Sequence, residues 1–240
     1  MVEPNELDRE RPYIEHNIEY TRMAYGLDDV QREAYSLQDT LSKEIIDENE
    51  ATIQNIRLWD ARPLLSTYRQ IQEIRLYYRF SDVDIDRYTV DGDYRQVMLS
   101  PREFSYDQVP SRAQTWQNQR LTYTHGYGVV MSPVNVVTPE GLPRLLIKDI
   151  PPVSSIDIEV NEPAIYYGEE TGHYVFTGTT TQEFDYPVGG ENMFTEYAGT
   201  GGVPMQTLFK RLLYAYEFGS IKILISGYFT DESRVHYHRE

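Results

Sequence analysis

The pattern of apolar and polar positions changes character about a third of the way along the chain. The first third follows helical spacing. Ile14, Ile18 and Tyr25 recur at near-helical intervals behind Pro12, which a first helical turn tolerates, and Gly26 supplies a C-terminal stop. Thr40 is placed to cap a second helix through Leu41, Ile45 and Ile46, and residues 47–56 extend it or begin another. Asp60 then precedes Pro63, Leu64, Leu65, Tyr68 and Ile71, the pattern of an N-capped amphipathic helix with proline in its first turn.

From Ile74 the period becomes that of a strand. Leu76, Tyr78 and Phe80 alternate with Arg75, Tyr77 and Arg79, and Val83 and Ile85 alternate with Asp82, Asp84 and Asp86. Asp91-Gly92 is a type I′ hairpin signal, with Tyr94 to Leu99 as the return strand. Ser111 heads a short helix through Leu121 that Gly126 and Gly128 end, and short strands follow over 129–131 and 134–137. Pro139, Pro143, Pro151 and Pro152 punctuate the span 138–155. Strands are expected near 156–160, 164–167, 173–177 and 182–186. A Gly-rich stretch then leads to Pro204 at the head of a helix over 205–218, and the run 234–239 reads as helical. The expected class is α+β: N-terminal helices, a largely antiparallel sheet region with a hairpin at Asp91-Gly92, and a C-terminal helix. The whole chain is read as one domain fragment. It is divisible into subregions 1–137 and 156–240, joined by the Pro-rich span 138–155.

Composition narrows the function classes. The 240 residues carry 38 acidic and 22 basic side chains, a net charge of −16. That balance argues against nucleic acid as a partner, because phosphate recognition depends on clustered Lys and Arg. With no Cys, disulfides, thiolate catalysis and Cys-ligated zinc or iron–sulfur sites are excluded. No cofactor is implied. Tyr is the outlier, with 21 against 8 Phe and 2 Trp. A Tyr side chain buries a ring while keeping a hydroxyl for a polar partner, which suits both strand faces and binding surfaces. No stretch approaches the ~20 apolar residues needed to span a bilayer, and the acidic start at Met1-Val2-Glu3-Pro4 lacks the basic region of a signal peptide. Both ends look cut.

The candidate chemistry is sparse. Asp82, Asp84 and Asp86 have the opening spacing of a calcium loop, as a weak metal candidate, but Arg87 and Asp93 stand where an EF-hand needs Gly and Glu. Alternating acids on a strand more commonly line one wet face. Gly199-Thr-Gly-Gly-Val-Pro204 before a helix suggests an anion cradle without the Lys that would complete it, and a surface loop is the simpler identity. His125, in Tyr123-Thr-His-Gly-Tyr-Gly128, has glycines that allow close backbone approach and suits proton transfer or the fixing of a turn. His173 opens the strand expected at 173–177, whose expected hairpin partner carries Glu183 and Asp185. That pairing would crowd a His and two carboxylates into an acid–base or metal cluster. His236 and His238, two apart on the expected helix, point to different faces.

Several strings carry a resemblance when taken together. They are Pro12-Tyr-Ile-Glu-His-Asn-Ile-Glu-Tyr-Thr-Arg-Met-Ala-Tyr-Gly-Leu27, Arg57-Leu-Trp-Asp-Ala-Arg-Pro63, Val83-Asp-Ile-Asp-Arg-Tyr88, Tyr123-Thr-His-Gly-Tyr-Gly128 and Glu183-Phe-Asp-Tyr-Pro187. Over nearly its whole length the chain resembles uncharacterised protein family 0182, large bacterial multi-pass membrane proteins. The resemblance implies a block of transmembrane helices followed by a long extracytoplasmic portion, of which this chain looks like part. The implied localisation is the cell membrane with this domain outside, and the implied partner is the membrane-embedded part of the same protein. It carries over no catalytic residues. The leading expectation is a binding or accessory module for an envelope protein or surface glycan. The alternatives are an envelope hydrolase, glycan-directed or metal-assisted, using His125, His173, Glu183 and Asp185, and a structural lid or assembly platform.

Overall fold

The computed structural model describes residues 5–32, 34 and 40–239. Its contacts divide the chain into two compact units, Met1–Glu48 and Asn49–Glu240. In the first, α1 (Glu6–Ala24) is a 19-residue helix with no buried residue, ended at Gly26 in the left-handed conformation (φ +62°) that glycine adopts without strain. The helix starts earlier than the sequence pattern indicated. Pro12 therefore lies inside it, where its missing N–H costs one hydrogen bond on a solvated face. α2 (Lys43–Glu48) is headed by Ser42, whose hydroxyl accepts from the Ile45 N–H, rather than by Thr40.

The second unit opens with α3 (Glu50–Ile53) and α4 (Ala61–Gln72). Asp60 caps α4 as expected, its carboxylate accepting from the Arg62 N–H at 3.0 Å. β1 (Tyr78–Arg79) is shorter than its alternation suggested, because Ile74 turns the chain at φ +63°. β2 (Asp84–Val90) and β3 (Asp93–Pro101) form the hairpin. Asp91 and Gly92 both sit at positive φ, as a type I′ turn requires. β4 (Glu103–Phe104), β5 (Gly126–Tyr127), β6 (Val129–Pro133), β7 (Ile147–Lys148), β8 (Val153–Ser154) and β9 (Ala164–Ile165) follow. The expected helix from Ser111 is two short turns, the second a π-helical turn at Asn118–Thr122. Residues 156–160 are not a strand: their Ile156, Ile158 and Val160 pack on the sheet as an irregular segment.

β10 (Val175–Thr179), β11 (Glu183–Val188), β12 (Glu191–Thr195) and β13 (Val203–Pro204) lead into α5 (Leu208–Glu217), α6 (Lys222–Ile225) and β14 (Phe229–His236). Two corrections fall here. Pro204 belongs to a strand, and α5 is started instead by Thr207, whose hydroxyl accepts from the Lys210 N–H. The run to His236 is β14, paired with β10 and β13, and not a helix.

All the pairing is antiparallel. The main sheet runs β2-β3-β6-β7-β8, so the span 138–155 contributes strands to it. α4 packs Leu64 and Tyr68 against Phe80, Val83, Met98, Val130 and Val134 of this region. The Tyr68 hydroxyl finds Ser132 at 2.6 Å, so the ring is buried without an orphaned polar end. A second core holds α5 and α6 against β10-β14-β13 through Phe176, Met205, Ala215, Ile223 and Val235. Between them lies an aromatic hub of Tyr78, Tyr127 and Phe184, ringed by Tyr77, Phe104 and Tyr123. The candidate site is built on that hub.

Candidate functional site

Thr124 and His125 lie between the π-helical turn and β5. Their position is set by a close approach. A Cβ on Gly126 would stand 2.7 Å from the Cα of Glu103 and against the Arg102 carbonyl, so only glycine lets β5 run this near to β4. β5 pairs with β9, which delivers Tyr166 immediately afterwards. Glu183 and Asp185, two apart on β11, share the face turned toward His125.

These residues form one continuous chain of hydrogen bonds. His125 Nε2 lies 3.1 Å from Asp185 Oδ1, and Nδ1 lies 2.8 Å from the Thr124 hydroxyl. Thr124 donates to Glu183 Oε2 at 2.6 Å, and the Tyr166 hydroxyl donates to the same oxygen at 2.9 Å. The His125 and Glu183 side chains are 0% and 3% exposed, and that of Asp185 is 17%. Arg239 closes the back, donating to the Thr124 carbonyl at 2.7 Å and to the Thr171 carbonyl at 3.2 Å. Burial pulls its guanidinium down to about 10, against the opposing effect of Tyr167.

Proton counting makes the network specific. Thr124 has one hydroxyl proton. Pointed at Glu183, it leaves Oγ1 to accept from His125 Nδ1–H, while Nε2 faces Asp185. With Glu183 protonated instead, the two Thr124 contacts persist with their directions reversed. The neutral acid then donates to Oγ1, the hydroxyl donates to Nδ1, and Nε2–H still meets Asp185. The carboxyl of Glu183 is raised above the usual range, chiefly by burial. Hydrogen bonds from Thr124 and Tyr166, the nearby His125 and the Tyr197 backbone N–H oppose that rise. Burial, and then the charge of Glu183, push the Tyr166 phenol far up, so it stays a neutral donor.

Three of the four residues expected from sequence, His125, Glu183 and Asp185, therefore meet. The fourth, His173, is exposed, and the expected hairpin does not form, because β10 pairs with β14 and β11 with β12. It helps line a cavity of about 20 Å³ beside His125, Thr124 and Arg239, room for a single water. Asp82, Asp84 and Asp86 lie exposed at and before β2. Asp82 and Asp86 each accept from the next residue's backbone N–H. Among the described residues no group of three or more His, Asp or Glu is arranged to hold a metal ion.

Sequence reasoning put His236 on a helix and gave it no part in a site. On β14 it is buried, with Nδ1 2.8 Å from the Tyr167 hydroxyl and Nε2 2.9 Å from that of Thr177. Burial, then Arg239 and Arg234, hold it down to about 4, so the ring is neutral. Its ring meets Tyr197, which in turn stands edge-on to Tyr166 at 4.7 Å. The Gly-rich loop beside it is not an anion cradle. Arg234 donates to the carbonyls of Thr200, Gly201 and Gly202, and the Gly201 N–H is taken by the Tyr197 hydroxyl. Tyr166 and Tyr197 instead form one wall of a cleft of about 440 Å³, which Glu162, Thr195 and Glu196 help to line.

The model of an uncharacterised protein family, UPF0182, matches residues 1–240. A UPF0182 protein of Trichodesmium erythraeum is 62% identical over 239 residues. Those of Sulfurovum sp. and Moorella thermoacetica are each 51% identical. Each alignment covers 100% of this chain and 26% of the relative, so the chain spans about a quarter of the length of the relatives it matches. No solved structure matches it. No helix among the described residues is long and apolar enough to cross a membrane. With the match running from end to end, the chain belongs to the uncharacterised protein family UPF0182.

Proposed function

We propose that this chain is a binding module, and that its ligand is a neutral, polyhydroxylated polymer such as a surface glycan. The observation that carries the reading is the 440 Å³ cleft, within the size range of small-ligand sites and lined by Tyr166, Tyr197, Glu162 and Glu196. A tyrosine ring offers a flat face to the C–H surface of a sugar. Carboxylates are acceptors only and suit a ligand rich in hydroxyl donors. The acids at the cleft and the net charge of −16 repel anionic polymers. The buried His125 network then has a structural part: through Glu183 it holds the hydroxyl of Tyr166, which helps to line the cleft. The hydrolase alternative needs that cluster to touch substrate, and the adjoining cavity of about 20 Å³ admits one water.

The test is a titration of the protein with neutral glucose- and N-acetylhexosamine-based oligosaccharides, followed by amide NMR shifts. Binding that moves residues 162–166 and 195–199, and that is lost in Tyr197→Ala, supports the reading. No shift at millimolar oligosaccharide, or unchanged binding by Tyr197→Ala, refutes it. The same proposal sets the module outside the cytoplasm, tethered to membrane-embedded polypeptide. Cleavage of this segment by protease added to intact cells is the expected result, and protection in intact cells with cleavage only in inverted vesicles refutes it.

A further inference from the structure

α5 and α6 leave a continuous apolar face uncovered. Leu208 is 72% exposed, Phe209 68%, Tyr216 87% and Ile225 74%, with Leu212, Leu213 and Ile221 also exposed between them. Along α5 these positions follow one another as 208, 209, 212, 213 and 216, one stripe of a helix with period 3.6. The opposite stripe is occupied. Ala215 enters the core, Tyr214 and Phe218 stack at 5.5 Å, and Lys210 and Arg211 bond back to the Pro204 and Met205 carbonyls. The helix is therefore apolar on both sides, and among the described residues of the unit Asn49–Glu240 only one side has a partner.

The composition of this face is as unusual as its exposure. In a chain with 38 acidic residues, the stretch 208–225 holds one, Glu217. The stretch also holds Lys210, Arg211 and Lys222, but Lys210 and Arg211 lie on the occupied stripe, so positions 208, 209, 212, 213 and 216 form an exposed stripe without charge, as at the centre of a protein interface. The sequence relation supplies the candidate occupant, since the chain spans 26% of each of three relatives that it matches along its whole length. A second copy is disfavoured, because two molecules of charge −16 repel one another. A segment of the same polypeptide meets no such penalty of dilution, since tethering keeps its local concentration high.

We propose that the α5–α6 face is a docking surface for polypeptide of the same protein lying outside these 240 residues, the portion of the relatives that the chain does not span. Docking there removes Leu208, Phe209, Leu212, Leu213 and Tyr216 from water together. The inference is independent of the cleft reading, which concerns Tyr166 and Tyr197.

The experiment uses the intact membrane-extracted protein with a photo-crosslinking benzoylphenylalanine in place of Tyr216 or of Leu213, and Tyr94 at the β2–β3 turn as the control position. Mass spectrometry of the linked peptides is expected to show intramolecular links from positions 213 and 216 to residues outside the 240, with none from 94. Links to a second copy, links to lipid, or no links at all overturn the proposal. A second readout covers misfolding of the labelled proteins. Leu212→Lys with Leu213→Lys is expected to lower the thermal midpoint of the intact protein by several degrees and to leave that of the 240-residue chain unchanged. Equal effects on both, or none on the intact protein, also overturn it.

Discussion

Replacing Thr124 by Val tests the proton network directly, because the two side chains have nearly the same shape and differ by the hydroxyl that links His125 to Glu183. The substitution removes the 2.6 Å bond to a buried carboxylate, and a hydrogen bond to a charged partner contributes about 1.5–3 kcal/mol. It also strands Nδ1 of a ring whose side chain is 0% exposed, and an unpaired buried polar atom costs about 1–3 kcal/mol. The two losses overlap, because both groups relax into the same space, so the expected destabilisation is about 3–4 kcal/mol. Glu183→Gln is the informative contrast. Its amide can donate to Thr124, as the protonated acid does, while its carbonyl accepts from the Tyr197 N–H, but the amide nitrogen accepts nothing, so the Tyr166 hydroxyl loses its acceptor there. It should cost about 1–2 kcal/mol, less than Thr124→Val. Urea unfolding followed by the fluorescence of Trp59 and Trp116, both in the unit Asn49–Glu240, gives the two values from midpoints at unchanged slope. The pH dependence adds a sign. The carboxyl of Glu183 is raised in the folded state, so its stabilising contribution is full below the ordinary carboxylate range and is lost as pH rises through the raised value. The wild type should therefore lose stability relative to Glu183→Gln as pH climbs from about 4.5. A cost below about 1 kcal/mol for Thr124→Val, or equal costs for the two variants, refutes the network as described.

Two further outcomes follow from the site. His236, held down to about 4, is neutral in the fold but protonates in the unfolded chain near 6.5. Its contribution to stability is full above that value and is lost as pH falls toward 4, and the ring's Cε1 proton should titrate near 4 by NMR. Titration near 6.5 would contradict the burial argument. Gly126→Ala forces a methyl against the Arg102 carbonyl and the Glu103 Cα, an overpacking cost of about 1–3 kcal/mol in thermal or urea unfolding. An alanine variant as stable as wild type would show that the β4–β5 approach is looser than described.

The elements that could be read in advance are those whose cause is local. Asp91-Gly92 makes its turn because both residues tolerate positive φ, and Asp60 caps α4 because its carboxylate reaches an N–H two residues away. The chemistry of the site was legible to the same extent. His125 among glycines and tyrosines, and two carboxylates spaced for one strand face, were visible as residue types and spacings. What joins them was not. His125 lies 60 positions from Asp185, and the contact depends on β5 pairing with β9 while β11 turns back on β12. Sequence spacing suggested that β10 and β11 would pair and carry His173 into the cluster, but β10 is satisfied by β14, which a short apolar run near the end of the chain does not announce. His236 was hidden for the same reason. A few alternating residues read equally well as a helix, and only the hydrogen bonds offered by β10 and β13 select the strand. Thr124, Tyr166 and Arg239 carry no signal in sequence, because a hydroxyl or a guanidinium becomes part of a site only when burial removes water as its alternative partner. Turns, caps and candidate side chains thus follow from local backbone and side-chain chemistry, whereas the proton network and the cleft wall arise from long-range strand pairing and the desolvation that packing imposes.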